Sequence, residues 1–128
     1  MIAYGMRTKI APIAISALVG LIFLSGCSSA KEQAVSSACN DALTKQAAAV
    51  VDTSLTAEQA NNAERPALSA CKDAAEWMNG VKANPSSVGF TTVTQDTAES
   101  NIITACIMLD SAYSTPVCAD ANQRGLLD

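Results

Sequence analysis

The hydrophobic pattern divides this chain into two unequal parts. Residues 10–24 pass without a charge and carry Ile10, Ile13, Ile15, Leu18, Val19, Leu21, Ile22, Phe23 and Leu24. This run of about 15 residues is shorter than the roughly 20 that a helix needs to span hydrocarbon. Arg7 and Lys9 precede it, and the small residues Ser25 and Gly26 follow. Positive, then apolar, then small is the layout of an export leader. After residue 31 the continuous apolar run gives way to helical spacing.

Val35, Cys39, Ala42, Leu43, Ala47 and Val50 form one stripe and predict a first helix over residues 32–51, with Lys31, Glu32, Asn40, Asp41 and Lys45 turned to water. Thr56-Ala57-Glu58-Gln59 has the form of a capping box, so a second helix begins near Ala57. Pro66 is expected to stop or kink it, because proline lacks the N–H of a helix bond. Asp73-Ala74-Ala75-Glu76 is a looser, aspartate-led box opening a third helix with Ala74, Trp77, Met78 and Val81 on one face. That helix should end before Asn84-Pro85, since a residue preceding proline is pushed out of the α region. Residues 84–95 read as a connector, with a short extended piece possible where Val88, Phe90 and Val93 alternate. Asp96-Thr97-Ala98-Glu99 predicts one more helix start. Ile102, Ile103, Cys106, Ile107, Leu109 and Tyr113 follow it, Pro116 closes it, and residues 120–128 read as a polar tail in which Leu126 and Leu127 either dock or fray. The expected fold is all-α: one small, disulfide-stapled bundle of three to four helices over residues 32–128.

Leu24-Ser25-Gly26-Cys27 closes the leader in the pattern of a bacterial lipobox, and residues 1–27 resemble the signal of bacterial lipoproteins. The resemblance implies that residues 1–26 are a cleaved signal peptide recognised at Leu24, Ser25 and Gly26. It further implies that Cys27 becomes the first mature residue, with a thioether-linked diacylglycerol and often an amide-linked acyl chain such as palmitate. Residues 27–31 would then be the lipidated cysteine and its tether, holding the protein to the membrane from the extracytoplasmic side. The rival reading is a permanent N-terminal membrane helix with an incidental cysteine. In a Gram-negative host, Ser28 in place of an aspartate would point to the outer membrane.

Removing the leader changes the composition. Arg7 and Lys9 leave, so Lys plus Arg falls from 8 to 6 while the 12 acidic residues stay, and the net charge moves from −4 to −6. An acidic domain is repelled by phosphate polymers, and the chain shows no basic patch with interleaved aromatics, which disfavours nucleic-acid binding. Trp77, Phe90 and Tyr113 are the aromatics left after the leader, a thin supply for a domain of about 100 residues. Covalent staples are therefore expected, and Cys39, Cys71, Cys106 and Cys118 are an even number in an exported chain. Of the three pairings open to four cysteines, Cys39–Cys71 with Cys106–Cys118 is preferred. Cys118 follows Pro116 closely enough for the chain to fold back on a helix carrying Cys106.

Little in the chain points to catalysis or to a cofactor. There is no histidine, which removes the usual Ser-His-Asp and Cys-His arrangements and weakens a metal site already lacking C-x₂-C spacing. Asp73 with Glu76 could be read as a general acid and base, but their spacing is that of a helix start. Tyr113 as a haem ligand lacks an evident second ligand. Trp77 beside Met78 is the candidate binding residue, tryptophan being enriched in interaction hot spots, with a core anchor as the simpler role. Residues 70–77 through Lys82-Ala83-Asn84-Pro85, with the later cysteine pair, resemble segments of small actinobacterial lipoproteins of unknown role. The leading expectation is a non-enzymatic interaction module that meets another envelope protein at the membrane surface. A carrier or sensor of a small apolar ligand, and an immunity or phage-exclusion lipoprotein, are the alternatives.

Overall fold

The computed structural model describes residues 33–128. The expected leader, with Leu24, Ser25, Gly26 and Cys27, lies outside the described residues. Among the described residues the fold has five α-helices: α1 (Ser37–Val50), α2 (Ala57–Ala70), α3 (Ala74–Ala83), α4 (Gln95–Leu109) and α5 (Pro116–Gln123), with a 3₁₀ turn at Pro85–Val88. No strand occurs among the described residues, and the alternating Val88, Phe90 and Val93 form none. The chain is thus a small all-helical bundle stapled by two disulfides, Cys39–Cys71 and Cys106–Cys118, the pairing preferred from the sequence.

Local chemistry sets most helix starts. Thr56 caps α2 with a full capping box: its hydroxyl accepts from the Gln59 amide, and Gln59 Oε1 accepts from the Thr56 amide at 2.8 Å. Asp73 caps α3 by accepting from the Glu76 amide at 2.8 Å. The end of α3 at Ala83, ahead of Asn84-Pro85, is as expected.

Three expectations need correction. The first helix starts at Ser37 rather than near residue 32, because Ser36 is its cap and the chain before it docks on α3. There Asn79 Nδ2 donates to the Gln33 carbonyl at 3.2 Å, and the Ser36 amide donates to Glu76. The second helix runs through Pro66 to Ala70. Pro66 and Asn62, whose carbonyl loses its usual partner, both lie on the exposed side, where water can satisfy that carbonyl. The last expected helix stops early, at Leu109, and a fifth helix follows it where three to four were expected in all. Thr94, not Asp96, caps α4, and Asp96 sits in its first turn, where a carboxylate favours the helix dipole. Pro116 does not close α4; it opens α5 from the first helical position, which requires no N–H. Part of the supposed tail is therefore helix, and Leu126 and Leu127 dock against the core.

The core is built from Leu43, Leu68, Trp77, Val81, Ile102 and Val117 together with alanines and all four disulfide cysteines. Alanine and glycine permit close helix approach: a Cβ on Gly80 would collide with the Leu43 side chain across the α1–α3 contact. In that packing α1 lies against α2 and α3, and α3 lies against α4 and α5. The first half of the chain meets the second again where α2 contacts α4 and α5.

Candidate functional site

Trp77 stands in the core at 1% exposed, so it presents no ring to a surface partner. Its indole N–H has no hydrogen-bond partner among the described residues. Asp73 and Glu76 are likewise structural. Glu76 does not close the expected capping box on Asp73. Its carboxylate turns instead to the amides of Ser36 and Lys72, each at 2.6 Å, and ties the start of α1 to the start of α3. Burial opposes ionisation of this group, but the two amides and the Lys72 ammonium outweigh it and hold the carboxyl below its usual range. Asp110 has the same design. Burial opposes its charge, yet the Thr115 amide and hydroxyl, both at 2.7 Å, and the Ser114 hydroxyl at 2.8 Å lower the carboxyl to about 2. Asp110 thereby fixes the turn between α4 and α5, in which Tyr113 adopts a left-handed backbone with φ 51°.

Among the described residues a cleft lies between α2 and α4. Asn61 and Glu64 from α2 face Thr104, Ala105, Met108 and Leu109 from α4 across an open cleft of about 290 Å³, solvent included. Spacing builds each wall: positions three apart on α2 and four apart on α4 share a helix face. The floor is apolar and the rim carries an amide, a hydroxyl and one carboxylate. Desolvation in the cleft pushes the Glu64 carboxyl above its usual range. Beside the cleft α4 leaves Ile107 49% and Met108 69% exposed, although Ile102, Cys106 and Leu109 on its other face are buried. The helix thus packs into the core on one side only.

A second group of exposed apolar side chains, Val50, Val51 and Phe90, lies where the end of α1 meets the turn after the 3₁₀ segment. Among the described residues no three potential metal ligands of the His, Cys, Asp or Glu type cluster together. No helix among them is long and apolar enough to cross a membrane. Tyr113 is half-buried against the core.

Comparison with protein-family models, with curated proteins and with solved structures finds no match for this chain. The cleft must be read from its own chemistry. Reasoning from the sequence singled out Trp77 and passed over Asn61, Glu64, Thr104 and Met108. The available signal was an exposed Ile-Met pair, Ile107-Met108, at the end of the most apolar helix. Only the packing of α2 on α4 brings the carboxylate to it.

Proposed function

We propose that this protein is a lipid-anchored interaction module of the cell envelope. Acyl chains on Cys27 hold it to the extracytoplasmic face of a membrane, and α4 with the adjoining cleft meets another envelope protein. The observation that carries the reading is the exposure of Ile107 and Met108 on a helix whose opposite face is pinned by the Cys106–Cys118 disulfide. Apolar side chains presented on a rigid element lose little conformational freedom on binding, which favours recognition. A non-enzymatic role is supported by how the polar groups are used. Asp73, Glu76 and Asp110 direct their carboxylate oxygens at backbone amides and hydroxyls of the fold, and Cys39, Cys71, Cys106 and Cys118 are oxidised.

The anchor is supported by the residues of the leader and lipobox. Its test is the intact mass of protein extracted from the membranes of its own host. A mass starting at Cys27, increased by acyl chains and lowered by the four hydrogens of two disulfides, is the expected result. A mass retaining residues 1–26 would overturn it. The interaction is tested by chemical crosslinking in intact cells. A specific envelope protein should be recovered with the wild-type chain and lost from an Ile107→Ser, Met108→Ser variant that retains its helical circular dichroism. Recovery of the same partner in equal yield from that variant would refute the role of α4.

A further inference from the structure

We infer that the cleft between α2 and α4 receives a lysine or arginine side chain from an apolar-flanked basic segment of a partner protein, with Glu64 as the counter-ion. The inference rests on the interaction-module reading and names the chemistry of its partner. The argument starts from the shape of the cleft. With open solvent set aside the cleft holds about 90 Å³, well below the roughly 300–1,000 Å³ of small-molecule sites. One long side chain suits it better than a separate ligand. Its lining is mixed: Ala105, Leu109 and Met108 supply apolar surface, while Glu64, Asn61 and Thr104 supply oxygen acceptors. Lysine and arginine have the matching form, an aliphatic stem that lies on apolar surface and a cationic head that seeks polar partners. The Thr104 hydroxyl donates to the Ser100 carbonyl at 3.0 Å, so its lone pairs remain to accept.

Charge points the same way. The ion pairs among the described residues are Lys72 with Asp73 and Arg124 with Asp120, and Lys82 bonds Gln95. None of these cations meets Glu64. Arg65 is its neighbour in sequence, but adjacent residues on a helix do not face each other, and Arg65 is exposed. A partly desolvated carboxylate that no cation meets among the described residues is unfavourable as it stands, and a cation delivered by a partner relieves it. The net charge, −4 for the full chain and −6 once Arg7 and Lys9 leave with the leader, also draws a basic partner from a distance. Ile107 and Met108 take the apolar residues on either side of the inserted one.

The test uses the full-length chain in the membrane of its own host, with a photo-crosslinking phenylalanine analogue placed at position 108 or, separately, at position 90. The expected result is a crosslink from position 108 to a protein segment that mass spectrometry maps to a Lys or Arg flanked by apolar residues. Glu64→Lys should lower its yield about tenfold, the scale of one lost charge pair. Glu64→Gln, which keeps the shape and removes the charge, should lower it in the same direction. Replacing the mapped cation with Glu should restore the yield in the Glu64→Lys chain alone. A crosslink from position 108 that ignores both substitutions at Glu64, or that maps to lipid, to a second copy of this chain or to a segment without a cation, would overturn the inference. A protein partner captured from position 90 alone would also overturn it while leaving the interaction module standing. Capture of no protein from either position would remove both.

Discussion

Gln46 is fully buried on α1, and neither its Oε1 nor its Nε2 has a hydrogen-bond partner among the described residues. An unpaired amide in a core costs about 1–3 kcal/mol, whereas an apolar side chain of the same length and shape makes no such demand. Gln46→Met should therefore raise stability by about 1–2 kcal/mol, read as a higher urea midpoint for the oxidised protein. A lower midpoint would show that the amide is not isolated in solution. Asp110 is the opposite case, a buried carboxylate with its acceptors used. Its carboxyl ionises at about 2 in the fold against 3.8 for the ordinary group. The native state therefore holds the proton less tightly than the unfolded chain. Stability from this residue is complete above about pH 4 and drains away as pH falls from 3.8 through about 2. Asp110→Asn should flatten that part of an acid-unfolding curve followed by circular dichroism. An acid transition identical to wild type would mean that the turn at Asp110 does not control it.

At the scale of elements, Pro66 shows how a local signal and its outcome diverge. Proline removes the bond to the Asn62 carbonyl and biases Arg65 against the α region, yet α2 continues because both ends of the broken bond lie at the surface. Pro66→Ala should recover that bond and raise stability by about 1–2 kcal/mol, after allowing for the looser unfolded chain. The check is paired circular dichroism and urea unfolding; a loss of helicity would mean that the proline supports the path of α2. The same residue type explains what was legible in the chain and what was not. The Thr56 and Asp73 caps and the stop at Asn84-Pro85 depend on a few adjacent residues, so they could be read directly. Pro116 could not, because proline after a helix and proline at the first position of the next helix look alike in sequence. Thr115 as cap, held by Asp110, selects the second meaning. Cysteine pairing was legible because a pair 12 residues apart invites a helix and its return. The cleft was not, since Asn61 and Glu64 acquire a role only when a helix more than 30 residues later in the chain packs over them.

Across the whole molecule, the two disulfides compensate for a core with one tryptophan and many alanines. Cys39–Cys71 joins the first turn of α1 to the end of α2 and spans 32 residues; Cys106–Cys118 joins α4 to α5 and spans 12. If loop entropy dominates, the longer link contributes about 4 kcal/mol and the shorter about 3 kcal/mol. Their sum approaches the whole stability of an ordinary domain, about 5–15 kcal/mol. The doubly reduced chain should therefore be largely unfolded near body temperature. The Cys39→Ala, Cys71→Ala pair should lower the urea midpoint more than the Cys106→Ala, Cys118→Ala pair. The reverse order would mean that local packing around each sulfur pair, rather than loop closure, sets its value. The two variants should also separate stability from recognition. Losing Cys106–Cys118 frees the wall of the cleft that carries Thr104 and Met108, so partner capture should fall even under conditions where the domain stays folded. Losing Cys39–Cys71 loosens α1 against the end of α2, away from Asn61 and Glu64 near the middle of that helix. At matched folded fraction its capture yield should stay near wild type. Equal loss in both variants would tie capture to global stability and leave no separate role for the α4 wall.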